Sequence, residues 1–173
     1  KSKSNDLNHG SNLVGDVTQE FKLEEKFMAE SGWLKFLGLT VQKWIKASMN
    51  HNIKKFNLID SWVVRQFANE YNPVHWHNGH ISGAGFLKVP DTLGQHIQHD
   101  KGDKRYLGGQ LTLIHGSKQF MSNSKLSIVP RVGDFYFFPH YLMHVVYPFR
   151  GTEEERRSVS FNAYIDEKIF NAN

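Results

Sequence analysis

The chain contains no cysteine. That excludes disulfides, thiolate catalysis, cysteine-bound zinc and iron–sulfur clusters with all-cysteine ligation. A metal would have to be held by imidazole and carboxylate. No apolar stretch approaches the roughly 18–20 residues that cross a bilayer. There is no block of consecutive basic residues, and the net charge is only +4, so nucleic acid is not an expected partner. No basic segment followed by an apolar one opens the chain, so no signal peptide is read there. The expectation is a soluble, cytoplasmic protein without a membrane partner.

What is abundant is aromatic and imidazole. Thirteen Phe, six Tyr and four Trp in 173 residues give a single domain, 1–173, enough apolar area for a real core. Of the ten histidines, only His9 and His51 lie outside the stretch from His75 to His144. Residues 1–20 are polar, without a hydrophobic period, and read as an irregular arm or edge segment. Residues 21–50 read as helical support: a short helix over Leu23–Glu30, then a second capped by Ser31. In the second, Leu34, Leu37, Val41, Trp44, Ile45 and Met49 recur at three- and four-residue steps. Over 55–166 the period shifts toward two. Strands are expected at Trp62–Tyr71, Gly83–Val89, Gln110–Ile114, Leu126–Val129, Asp134–Phe138, His144–Tyr147 and Arg157–Ile165, separated by Gly, Pro, Asn, Ser and Asp. Helices first and strands after indicate an α+β chain, mainly β, whose helices buttress a jelly-roll core.

The chemistry centres on His75-Trp76-His77. In a strand, i and i+2 project from one face with Cβ atoms about 7 Å apart, a spacing that suits two ligands of one metal. Two solvent-facing histidines near a strand end is the competing reading. His144, a third imidazole on a distant strand, favours the metal. Such a site suits iron, zinc, nickel or copper. Downstream, Arg156, Ser158 and Ser160 alternate onto one face, while Arg157, Val159 and Phe161 take the other. A guanidinium with a hydroxyl two residues on makes a fork for a carboxylate. The alternative is an edge strand whose arginine pairs with Glu153, Glu154 or Glu155.

Three blocks together, Asn72–Gly83 (NPVHWHNGHISG), Gly133–Pro148 (GDFYFFPHYLMHVVYP) and Glu155–Asn162 (ERRSVSFN), resemble the iron(II)- and 2-oxoglutarate-dependent oxygenase superfamily. Within it, the pattern is similar to a small group of such oxygenases with H-x-H, a distal His and R-x-S. The resemblance implies a double-stranded β-helix, a distorted jelly roll like that of cupins. It implies a dioxygenase that hydroxylates a substrate with release of succinate and CO2, with Fe(II) as the metal and 2-oxoglutarate as cosubstrate. It makes His75 and His144 metal ligands, with His77 at the place where most of the superfamily has Asp or Glu. Arg156 and Ser158 would bind the distal carboxylate of 2-oxoglutarate. No catalytic residue beyond the metal site is implied. His80 and His140 are the reserve candidates for the metal, with an outer support of the site as the alternative for His140, which follows Pro139 in a loop.

Other expectations follow from single residues. Where the group commonly has tyrosine, this chain reads Ser82-Gly83-Ala84-Gly85-Phe86-Leu87, and Gly85 is expected to open volume in the pocket. The aromatic run Phe135–Phe138 is expected to exclude water, with Phe137 in plain core packing. The polar stretch Leu93–Gly109, with Gln95, His96, His99, Lys101, Lys104 and Arg105, reads as a loop at the pocket mouth or as a solvated connection. The partner would be a small-molecule or peptide substrate. Two rival readings remain: a three-histidine cupin-type metalloprotein that does not use 2-oxoglutarate, and a non-enzymatic jelly-roll binding module.

Overall fold

The computed structural model describes residues 15–91, 93 and 107–172. Strand β1 (Gln19–Lys22) leads into helices α1 (Glu25–Glu30) and α2 (Trp33–Met49). Strands β2 (Phe56–Gln66), β3 (Asn72–His75), β4 (Ile81–Lys88), β5 (Leu111–Ile114), β6 (Lys125–Ile128), β7 (Phe135–Pro139), β8 (Met143–Val146) and β9 (Arg156–Ile165) follow, and the short helix α3 (Glu167–Phe170) closes the described chain. The strands form two sheets, ordered β1-β2-β9-β4-β7 and β3-β8-β5-β6, and every ladder is antiparallel. This is the jelly roll expected from the alternation, with β9 in the middle of the larger sheet and β8 inside the smaller.

The period of α2 explains where it lies. Leu37, Val41 and Ile45, four residues apart, are buried against Ile81, Phe161, Ala163 and Ile165 of β4 and β9. Each such side chain removed from water contributes on the order of 1.5–3 kcal/mol. Trp33 meets Phe135 edge-on at 5.6 Å and Trp44 lies 6.2 Å from Phe137, so the odd positions of β7 serve the helix layer. Its even position Phe138 points between the sheets. The expected water-excluding role therefore belongs to Phe138, and Phe135 joins Phe137 in the core.

Several boundaries differ from those the sequence suggested. The second helix is not capped by Ser31. Ser31 ends α1, and Gly32, at φ 78°, is the N-cap of α2. Only two residues separate the helices, and the turn needs a left-handed backbone that glycine adopts without steric cost. The expected strand Trp62–Tyr71 begins earlier and stops at Gln66. Beyond it the Glu70 carboxylate accepts the Phe67 N–H at 2.9 Å and Asn69 takes φ 71°, which breaks the ladder. Gly85 does not enlarge the pocket. A Cβ there would collide with the ring of Phe135 on the helix side of the sheet. Gly85→Ala is thus expected to cost roughly 1–3 kcal/mol through overpacking. A lowered thermal midpoint with unchanged ligand affinity is the outcome to look for.

Of the stretch read as an irregular arm or edge segment, Gln19 and Glu20 belong to β1, the edge strand of the larger sheet. Glu20 of β1 stands opposite Val64 and is only 1% exposed. Among the described residues its Oε2 has no hydrogen-bond partner. Burial, with a smaller push from the neighbouring Glu70, raises its pKa from 4.5 to about 7. Folding therefore favours the protonated acid. Stability is full below about pH 4.5 and declines as pH rises to about 7, by about 3 kcal/mol at 1.36 kcal/mol per unit. Urea titrations of the parent and Glu20→Gln at pH 5 and pH 8 should show the variant losing less stability over that interval. Parallel losses would contradict the assignment.

Of the polar stretch expected at the pocket mouth, Gln95, His96, His99, Lys101, Lys104 and Arg105 lie outside the described residues. Among the described residues no helix is long and apolar enough to cross a membrane.

Candidate metal centre and anion cleft

His75 and His144 are direct cross-strand partners in the β3–β8 ladder. Their ring centroids lie 4.2 Å apart. His77 lies two residues beyond the end of β3, and its ring is 4.9 Å from each of the other two. Trp76 between them turns outward and is 64% exposed. One ring nitrogen from each of His75, His77 and His144 falls within 4.8 Å of the others.

The tautomers follow from the hydrogen bonds. His75 Nδ1 bonds the Pro73 carbonyl at 2.7 Å, and His144 Nδ1 bonds the Leu142 carbonyl at 2.9 Å. A carbonyl only accepts, so both Nδ1 atoms carry the proton and both Nε2 atoms present a lone pair. This repeated bond to the carbonyl two residues back is the outer support that metal-bound imidazoles generally have. The Nε2 atoms of His77 and His144 face each other at 3.1 Å, a short approach that a shared proton or a shared cation would satisfy. Burial, reinforced by the neighbouring imidazoles, pushes His77 down to about 3 and His144 down to about 4, and burial lowers His75 too. All three are neutral donors near pH 7. Phe138 packs 5.0 Å from the His144 ring and Trp62 meets His77 edge-on at 5.6 Å, so apolar rings shield the cluster. The donor set, three neutral imidazoles on two rigid strands and their flank, fits a borderline first-row cation.

The same space between the sheets holds a cation of the protein's own. Arg156 opens β9 and is 2% exposed. Its Nε donates to the Gly109 carbonyl at 2.8 Å, one terminal nitrogen reaches Ser158 Oγ at 3.4 Å, and the guanidinium lies 5.1 Å from the centre of the Phe86 ring. Burial lowers its pKa to about 10, which leaves it charged at neutral pH. The edge-strand alternative does not describe it, since β9 is central and Glu155 is held by Arg65 and Arg157 instead. Among the described residues no carboxylate pairs with Arg156, and none lines the cleft. A buried, uncompensated guanidinium is costly, and an anionic ligand removes that cost. Ser158 and Ser160 face the same cleft, which has a cavity volume of about 40 Å³.

The reserve histidines stand elsewhere. His80 is buried, its Nδ1 accepts the Ile165 N–H at 3.2 Å, and its ring stacks on Phe170 at 4.0 Å. His140 uses Nδ1 to bond the His77 carbonyl at 2.9 Å. Sequence reasoning missed Gln66, 1% exposed and directly opposite Arg156 in the ladder. Its Nε2 donates to the Glu70 carbonyl at 2.6 Å, which leaves Oε1 as an acceptor in the cleft wall. A polar residue continuing the alternation Trp62, Val64, Gln66 on one strand face was the available signal.

The fold and this cleft define a jelly-roll protein with a preformed three-imidazole cluster beside a buried arginine. Residues 60–162 match the family described as "Putative 2OG-Fe(II) oxygenase". The chain belongs to that family and is an oxygenase of the Fe(II)/2-oxoglutarate type. Among solved structures it is similar to a prolyl-4-hydroxylase from Pseudomonas putida, with 14% identity and a TM-score of 0.56 over 83% of this chain and 71% of that one. It is also similar to the collagen prolyl hydroxylase of Paramecium Bursaria Chlorella virus-1, solved with 2OG, with 14% identity and a TM-score of 0.58 over 88% and 80% of the two chains. At this identity the likeness establishes the fold. No curated protein matches the chain.

Proposed function

We propose that the chain is an Fe(II)- and 2-oxoglutarate-dependent hydroxylase in which His75, His77 and His144 hold the metal and Arg156 with Ser158 binds the distal carboxylate of the cosubstrate. The observation that carries this reading is the pairing, in one cleft, of three inward imidazoles with a buried arginine that no lining carboxylate neutralises. When bound, iron and the keto acid supply the oxidising chemistry, with release of succinate and CO2. The chain's own residues do the rest. Neutral imidazoles leave the cation's two charges for a dianion to meet, and Arg156 fixes that dianion's far end through a planar fork. Phe138, Trp62 and Phe86 keep the site dry, which strengthens those contacts. The substrate, a small molecule or a peptide, supplies the C–H bond that is oxidised.

Oxygen uptake and succinate release measured together on the iron-loaded protein test this reading. Succinate formed in step with oxygen, even slowly and without added substrate, supports it. Oxygen consumed without turnover of 2-oxoglutarate would favour the three-histidine cupin alternative. Absence of any metal binding would favour a non-enzymatic module.

A further inference from the structure

His77 is the ligand candidate least supported by the sheet. His75 and His144 are fixed by their ladder, whereas β3 ends at His75 and the chain passes through Gly79 at φ 102° before β4 begins. The backbone of His77 is held from both sides by a single residue just beyond the end of β7, His140. Its N–H donates to the His140 carbonyl at 3.1 Å, and His140 Nδ1 bonds the His77 carbonyl at 2.9 Å. Because that partner is a carbonyl, Nδ1 must carry the proton. Any residue at 140 would offer the backbone acceptor. Only a side chain with a donor at that position closes the bracket from both sides.

His140 is itself anchored. Its N–H donates to the His80 carbonyl at 3.1 Å, and its ring packs 5.6 Å from both Tyr141 and Phe170. The stack of Phe170 on His80, at 4.0 Å and 8°, holds this corner against α3. The two reserve histidines therefore both have tasks: His80 docks α3, and His140 carries the order of that corner to the peptide bearing His77.

From this we infer that His140 is a positioning residue that sets the ring of His77 for metal binding through the bond to the His77 carbonyl. The inference rests on the metal-site reading above. Removing an outer partner from a ligand's ring typically changes metal affinity by roughly 10–100-fold, and this bond to the ligand's peptide is expected to act in the same direction. The probe is cobalt(II), added to the full chain and followed by calorimetry and by its visible absorption. His140→Ala should bind cobalt(II) about 10–100-fold more weakly than the parent, with an altered spectrum that reports a changed ligand field. His140→Asn, whose amide nitrogen sits near the position of Nδ1, should restore most of the affinity and the parental spectrum. His140→Phe keeps the ring packing and loses the donor. It should behave like the alanine variant, and it carries the comparison if His140→Ala does not fold.

Parental affinity and spectrum in His140→Phe would overturn the inference while leaving the metal site intact. Equal losses in His140→Asn and His140→Phe would also overturn it, since the bond would then not be the cause. A parent protein that binds no cobalt(II) would defeat the metal-site reading itself.

Discussion

Arg156→Ala is expected to raise the dissociation constant for 2-oxoglutarate by roughly 10²–10⁴-fold. The variant loses two hydrogen bonds to a charged carboxylate at roughly 1.5–3 kcal/mol each. No other Lys or Arg lines the cleft among the described residues, so nothing compensates. Metal affinity should be unchanged, because the arginine makes no contact with the imidazole cluster that would alter its donors. In the ligand-free protein the substitution also removes a buried charge that no carboxylate offsets, at the cost of freeing the Gly109 carbonyl. The two effects oppose each other, and the unfolding midpoint should move little. Arg156→Lys keeps the charge and loses the planar fork, so it should fall between the two. Calorimetric titration of 2-oxoglutarate into metal-loaded protein checks all three. Parental affinity in Arg156→Ala would place the anion elsewhere.

His144→Ala is expected to abolish stoichiometric iron or nickel binding, a loss beyond the roughly 10–100-fold that follows removal of an outer partner. His144 is 4% exposed, sits opposite His75, and approaches His77 Nε2 at 3.1 Å, so it ties the other two imidazoles together. Its replacement leaves one nitrogen from a strand end and one from a loop, too few to hold a cation in competition with water. Metal content after dialysis is the measurement. Retention of one equivalent by the variant would remove His144 from the site.

The parts of this site that were legible in the sequence are those whose geometry is local. His75 and His77 converge because alternate positions share a face, and that holds even though the ladder stops at His75. Arg156, Ser158 and Ser160 face one cleft for the same reason. The larger helix was readable because Leu37, Val41 and Ile45 keep one stripe. What escaped depends on pairing across the chain. The alternation Trp62, Val64, Gln66 puts Gln66 on the cleft face, but its position opposite Arg156, ninety residues away in sequence, is a register no local pattern contains. Gly85 was assigned to the wrong side because its role is fixed by Phe135 on a neighbouring strand, whose ring it makes room for. His140 was legible as a spare ligand or an outer support. Its position after Pro139 does not reveal that its side chain serves the backbone of His77. Ser31 illustrates a different failure, since a good capping residue lost to the glycine beside it when the turn demanded a left-handed backbone.

In the proposed site His77 takes the place of the carboxylate usual at the second ligand position, and among the described residues no acidic side chain lines the cleft wall. The proposed chemistry requires all three imidazoles to meet one metal while Arg156 faces the far end of the cosubstrate. A crystal structure of the protein with nickel(II) and 2-oxoglutarate tests this most directly. The expected density shows one metal bonded to His75, His77 and His144, with the distal carboxylate on Arg156 and Ser158. A metal bonded to only two histidines with His77 turned away, or a keto acid bound without contact to Arg156, would contradict it.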